Sequence, residues 1–247
     1  MELDTSVLVR SRLRVEAFIV LGAAVGAWFV VAPHLGRGTK WEAIAIVAAG
    51  VLPATLALVL VALPLWSRRW ILPAAVGLAL VALGCTEAGW GLAANFAKLW
   101  AAVFAGWAFL RLFEELSWVV LIAVIIPAVD AISVWRGPTH AITEHHFAVY
   151  TDVAVAFVGP AKAAAYLGPP DILFYGLFLA AARRWELRTV GTWLGMTGMY
   201  SLTIVLANVV DVGGLPALPF LSFGFLVANA DLLWRRLRKR RPPQADA

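Results

Sequence analysis

Two aspartates draw attention because each is the only charged residue in a long apolar run. Asp130 lies in Pro-Ala-Val-Asp-Ala-Ile-Ser-Val-Trp-Arg-Gly-Pro (127–138), and Asp171 lies in Leu-Gly-Pro-Pro-Asp-Ile-Leu-Phe-Tyr (167–175). An ionised carboxylate in hydrocarbon costs at least ~2.5–3.5 kcal/mol on insertion scales, so such a residue is retained for a reason. If the two runs are antiparallel helices, both carboxyls fall toward the same end and can meet around one water. They cannot both ionise cheaply, so one proton is shared. One carboxylate then takes a proton from water while its protonated neighbour polarises a carbonyl oxygen. That is the chemistry of aspartic proteolysis. The plainer alternative is a carboxyl that caps a helix or pairs with arginine at each place.

The elements that must position these residues read as helices. The 247 residues are 62% hydrophobic and 14% charged, against ~25% charged in an ordinary domain. The mean hydropathy is +0.84. This composition excludes a disordered chain, a disulfide scaffold and a cytosolic enzyme, and leaves one bilayer-embedded domain as the expectation. The single cysteine, Cys85, cannot form an intrachain bridge. A spanning helix needs ~20 apolar residues. Runs at 17–36, 43–67, 70–86, 189–210 and 212–230 meet this without any charge. Runs at 95–110, 116–135 and 163–182 meet it with Lys98, Asp130 and Asp171 inside them. The expected fold is therefore an all-α polytopic bundle of about eight, possibly nine, transmembrane helices. Residues 1–116 would form an N-terminal scaffold, 117–234 a functional half with an external loop at 136–167, and 235–247 a basic tail.

Charge in the loops orients such a bundle. Arg10, Arg12 and Arg14, then Arg68, Arg69, Arg111, Arg183, Arg184, Arg188 and the tail from Arg235 to Arg241 fall on one side. Arg37, Lys40, Arg136 and Lys162 fall on the other. Both termini are expected in the cytoplasm of a multi-pass plasma-membrane protein. The tail follows an apolar run directly, which favours an anchor over a nucleic-acid face. Tryptophans at 28, 66, 70, 135, 185 and 234 fit an interfacial belt.

A third segment completes a pattern. Leu-Pro-Ala-Leu-Pro-Phe (215–220) opens the last apolar run. Together, and in this order, the three segments resemble the presenilin and signal peptide peptidase family of intramembrane aspartyl proteases, the Gly-x-Gly-Asp type, as a microbial homologue. The resemblance covers residues 117–225. It implies a presenilin-like bundle that hydrolyses peptide bonds within transmembrane segments of protein substrates, with no metal and no organic cofactor. Asp130 and Asp171 would be the catalytic pair, with Gly168, Pro169, Pro170, Pro216, Ala217, Leu218 and Pro219 shaping the site. The inter-aspartate segment outside looks like signal peptide peptidase. One departure is Pro170, where the family has a second glycine; it stiffens the approach to Asp171. Asp171 is then expected in the first helical turn, where the dipole favours the anion. Eight spans in place of nine is the other. An impaired pseudoprotease that binds transmembrane helices and a proton-coupled transporter are the rival readings.

The stretch 150–158 partly alternates and is rich in β-branched residues, which predicts a short strand. Val153, Val155 and Phe157 would form the edge that receives an unwound substrate. His140, Glu144, His145 and His146 do not have the His-Glu-x-x-His spacing of a zinc protease, and no metal is expected there. Glu114 and Glu115 read as acidic residues at a helix start. Lys98 and Glu87 would pair within the bundle or face water.

Overall fold

The computed structural model describes residues 5–36, 38–136, 147–162, 164–210 and 215–238. His140, Glu144, His145, His146 and the tail beyond residue 238 lie outside the described residues. The helices, in chain order, are α1 (Thr5–Val31), α2 (Lys40–Ile46), α3 (Leu52–Ala62), α4 (Ile71–Glu87), α5 (Gly91–Phe109) and α6 (Leu116–Arg136). Then come α7 (Phe147–Val153), β1 (Val155–Val158), β2 (Ala164–Leu167), α8 (Pro169–Arg184), α9 (Thr189–Val210) and α10 (Leu218–Arg238).

Local sequence explains several boundaries. Thr39 and Glu42 form a reciprocal cap on α2: the Glu42 N–H donates to Thr39 Oγ1 at 3.2 Å, and the Thr39 N–H donates to Glu42 Oε2 at 2.9 Å. A π-helical turn, Val47–Val51, carries α2 into α3 without a break. Gly89 adopts φ +73° after α4, a conformation that glycine takes without steric cost. β1 and β2 pair antiparallel, with Val155 opposite Leu167 and Val158 opposite Ala164.

The interior is built where α5 lies on α4 and α8, and where α9 lies on α10. Leu99, Val103 and Trp107 of α5 are buried with Tyr175, Leu177 and Phe178 of α8. Each such side chain contributes roughly 1.5–3 kcal/mol by leaving water. Small residues let the backbones meet. A Cβ on Gly106 would strike the Leu173 carbonyl, and one on Gly176 would lie 3.1 Å from the Val103 carbonyl oxygen. Across the α9–α10 crossing, a Cβ on Gly195 or Gly224 would sit 2.7 or 2.6 Å from the other's carbonyl oxygen. Beyond that crossing, Asn229 accepts from the Arg188 N–H at 3.0 Å and donates to Thr192 Oγ1 at 2.7 Å.

The architecture corrects the sequence expectation in two respects. Among the described residues five helices are long and apolar enough to cross a membrane: Ser11–His34, Lys40–Leu65, Gly91–Leu112, Leu116–Val134 and Thr189–Val210. The runs at 70–86, 163–182 and 212–230 are not among them. The first makes only the 17-residue α4. The second is divided between β2 and a 16-residue helix that starts at Pro169. The third continues as a helix into Asp231, Arg235, Arg236 and Arg238. An apolar run is thus not the same thing as a spanning helix. Nor do the five form the mutually packed bundle of a presenilin-like fold. Only 6% of the apolar window in Ser11–His34 and 11% of that in Leu116–Val134 is buried inside the fold. Large apolar side chains such as Ile19, Leu80 and Ile132 face outward instead. Among the described residues, the expected polytopic bundle of eight or nine helices is therefore replaced by a helical fold with one hairpin. The expectation of a multi-pass plasma-membrane protein with two cytoplasmic termini rested on that bundle and falls with it. So does a lipid bilayer as partner.

The close α9–α10 crossing makes a direct prediction. Gly224→Val should destabilise the fold by roughly 1–3 kcal/mol or more through overpacking. Gly198→Ala, whose added Cβ meets nothing within 4 Å, should leave stability unchanged or slightly raised. Denaturant titration of both variants checks the contrast.

Candidate functional site: a junction of two carboxyls and two helix starts

α10 begins with a deficit. Ala217 stands before its first residue and has no side-chain acceptor to offer, so the Leu218 N–H needs one from elsewhere. Pro219, next in line, has no N–H at all. Asp130, near the C-terminal end of α6, supplies the acceptor: the Leu218 N–H donates to Asp130 Oδ2 at 3.0 Å across 88 residues of chain. A carboxylate at this position also meets the positive end of the α10 dipole. Pro216, Ala217 and Leu218 are buried around the contact.

α8 starts differently. Gly168 is its cap residue, and Pro169 and Pro170 occupy the first two helical positions, where proline forfeits no hydrogen bond. Asp171 follows in the first turn and reaches back, accepting from the Gly168 N–H through Oδ2 at 2.9 Å. Glycine has no side chain to return the favour, so only this arm of the cap exists. Pro170, which the sequence marks as a departure, is an ordinary helix-start residue here.

The surroundings of Asp171 are aromatic. Tyr200 of α9 donates its hydroxyl to the Asp171 carbonyl at 2.9 Å and stacks on Tyr175, with ring centroids 5.9 Å apart. Tyr175 shares a hydrogen bond with Thr197 Oγ1 at 2.8 Å. Tyr150 of α7 lies against Gly168 and feels the charges of both Asp171 and Asp130. Burial first, and those charges second, push its phenol well above the usual range, so it stays neutral. For Asp171, burial first and the Asp130 charge second raise the carboxyl to about 7, and the Gly168 N–H opposes them in part. The expected dipole-favoured anion is therefore corrected: desolvation and a like charge outweigh the helix end.

Other expected site residues fall elsewhere. Val155 and Phe157 point into the core from β1, whereas Val153 ends α7 and is 43% exposed. The predicted strand thus starts only at Val155; residues 147–153 are helical. Asn95 and Lys98 of α5, i and i+3 on one helical face, explain this locally. Lys98 Nζ donates to the Thr151 carbonyl at 3.3 Å, a cation at the C-terminal end of α7, and not to Glu87. Asn95 pairs with Ala156 in both directions, at 2.7 and 3.0 Å. Trp28, expected in an interfacial belt, donates to the Val158 carbonyl at 2.8 Å. A polar pair four positions wide inside the apolar run 91–109 was the sequence signal for this contact.

The expected acid–base dyad is corrected by this geometry. Among the described residues no hydrogen bond joins Asp130 to Asp171; each carboxyl is engaged by the backbone N–H at the start of a different helix. Among the described residues no group of three or more His, Cys, Asp or Glu side chains could hold a metal ion. With the dyad goes the aspartic endopeptidase acting on transmembrane-helix substrates. The pseudoprotease that binds transmembrane helices and the proton-coupled transporter fall with the polytopic bundle itself.

The cap predicts its own mutants. Asp130→Ala should cost about 1 kcal/mol, within the 0.5–2 range for a lost helix cap. Hydrogen exchange should show the first turn of α10 opening more readily. Asp130→Asn keeps an acceptor oxygen and should lose markedly less.

Comparison with known proteins returns no match: no protein-family model, no curated protein and no solved structure matches the chain. The resemblance of its three segments to the presenilin and signal peptide peptidase family is thus not supported at the level of family, and the expected membership is withdrawn.

Proposed function

We propose that the Asp130–Asp171 junction is a proton-operated clasp, and that the protein changes how firmly α6, α8 and α10 are held together as pH passes through neutrality. One observation carries this reading: two carboxyls, each engaged by a backbone N–H at a helix start, sit close enough for the charge of one to raise the pKa of the other. Protonation of Asp171 relieves the repulsion from Asp130 and the cost of burying a second anion. Loss of that proton restores both costs. Tyr150 and Tyr200, neutral and packed around the pair, supply no counter-charge. The Asp171 anion is favoured by one backbone N–H and opposed by burial and by the Asp130 charge, so the site responds to a proton.

The sign of the effect follows from linkage. A carboxyl whose folded pKa lies above its unfolded value of 3.8 favours the folded state in its protonated form. That stabilisation is complete below about pH 4 and is lost as pH rises toward and through about 7. With a pKa unit equal to about 1.4 kcal/mol, the total is on the order of a few kcal/mol. Thermal melts of the wild type should therefore fall between about pH 4 and 7 and level off above, a dependence assigned to this group by comparison with Asp171→Asn. The asparagine variant keeps the acceptor for the Gly168 N–H but cannot ionise. It should match or exceed the wild type at pH 8 and show a flatter profile. Parallel profiles for the two proteins would refute the clasp.

A further inference from the structure

The outer edge of β1 is closed by side chains and not by another strand. The Ala156 N–H donates to Asn95 Oδ1 at 2.7 Å, and Asn95 Nδ2 donates to the Ala156 carbonyl at 3.0 Å. This reproduces the two-way exchange of an antiparallel residue pair. Trp28 takes the next outward carbonyl, that of Val158. Since Ala156 turns both backbone groups away from β2, alternation of the ladder directs those of Val155 and Phe157 toward Leu167 and Ala165, the residues opposite them. Leu167 is followed by Gly168, whose N–H is the donor to Asp171. A short mechanical path therefore runs from Asn95 through Ala156, Val155 and Leu167 to the peptide that holds the carboxyl. Asn95 is itself only 8% exposed. A leucine of similar volume would suit this apolar position on α5 if packing alone mattered.

We propose that Asn95 is a positioning residue of the junction: its amide stands in for a third strand on Ala156, sets the seat of the hairpin, and thereby places the Gly168 N–H on Asp171 Oδ2. The inference rests on the proton-clasp reading and names the element that tunes it. The groups that face Asp171 are Asp130 from α6, Tyr150 from α7, Tyr200 from α9 and the Gly168 N–H from the end of the hairpin. Asn95 bonds to none of these. Its hydrogen bonds reach toward Asp171 through the hairpin. The direction is fixed, because an N–H donated to a carboxylate favours the charged form. A loosened Gly168 N–H must therefore move the Asp171 midpoint upward.

The test is a carboxyl carbon NMR titration of the full chain labelled at aspartate, with the Asp171 signal assigned by its disappearance in Asp171→Asn. Asn95→Leu should raise the Asp171 midpoint by about half a pH unit or more. Asn229→Leu removes a buried amide at the Arg188–Thr192 end of the fold and should destabilise without moving it. Trp28→Phe keeps the ring, loses the bond to Val158, and should shift the midpoint the same way by less; it decides the matter if Asn95→Leu does not fold. An unmoved midpoint in Asn95→Leu and Trp28→Phe, or an equal shift in Asn229→Leu, would overturn the positioning role alone. A wild-type Asp171 that titrates in the ordinary carboxyl range would overturn the clasp and this inference together.

Discussion

A helix must find acceptors for its first N–H groups, and this constraint organises the junction of α6, α8 and α10. α10 cannot meet it alone, because Ala217 offers no acceptor, and so a carboxyl is drawn in from α6. α8 meets it with two prolines, which have no N–H to satisfy, and with Asp171 turned back on Gly168. The two solutions bring two carboxyls into one region of low dielectric. Capping favours the anion at each place, while desolvation and mutual repulsion favour the neutral acid. Neither demand can be met in full at both sites. An acid raised to about 7 is the compromise that results.

α5 is the element against which this compromise is held. Its apolar residues build the interior with α4 and α8, where Gly106 and Gly176 bring the backbones into contact. Its two polar residues, Asn95 and Lys98, do separate work on the segment that leads to the junction. Lys98 closes the end of α7, and Asn95 closes the edge of β1. Tyr150 rides on the first of these and Gly168 follows the second. The junction is thus supported from one helix at two points, one turn apart. The hairpin rests on the Asn95 amide and the Trp28 indole, and the end of α7 on the Lys98 ammonium.

Much of this was legible in the residues and part was not. The helical character of the chain follows from its apolar runs, and α6 and α9 lie close to the runs at 116–135 and 189–210. The start of α8 is written in Gly-Pro-Pro-Asp, where cap, two prolines and an acid in the first turn agree with one another. What could not be read was how far each run remains helical and what it packs against. The run at 163–182 is cut because Ala164–Leu167 pairs with Val155–Val158 as a hairpin, whose outer edge Asn95 closes on Ala156, 61 residues away. Helix replaces the predicted strand at 150–153, where a distant lysine receives the helix end. Periodicity reports local preference, and both outcomes were decided by tertiary hydrogen bonds.

The same consideration explains how three short segments could read as a hydrolytic motif. Pro-Ala-Leu-Pro, Gly-Pro-Pro-Asp and an isolated aspartate in an apolar helix are residues that a protease could use. They are also what two helix starts require: prolines where no N–H is needed, and carboxyls where an N–H is left over. Catalysis would demand one thing more, that the carboxyls turn toward a common reacting molecule. Each is turned instead toward a backbone donor of its own, at 3.0 and 2.9 Å. A carboxylate bound in this way gives up part of its basicity, since the N–H that holds it also stabilises its charge. What it retains is sensitivity to its neighbour. The chemistry left to the pair is therefore the uptake and release of a proton, and its mechanical consequence lies in the helices that the two acids begin.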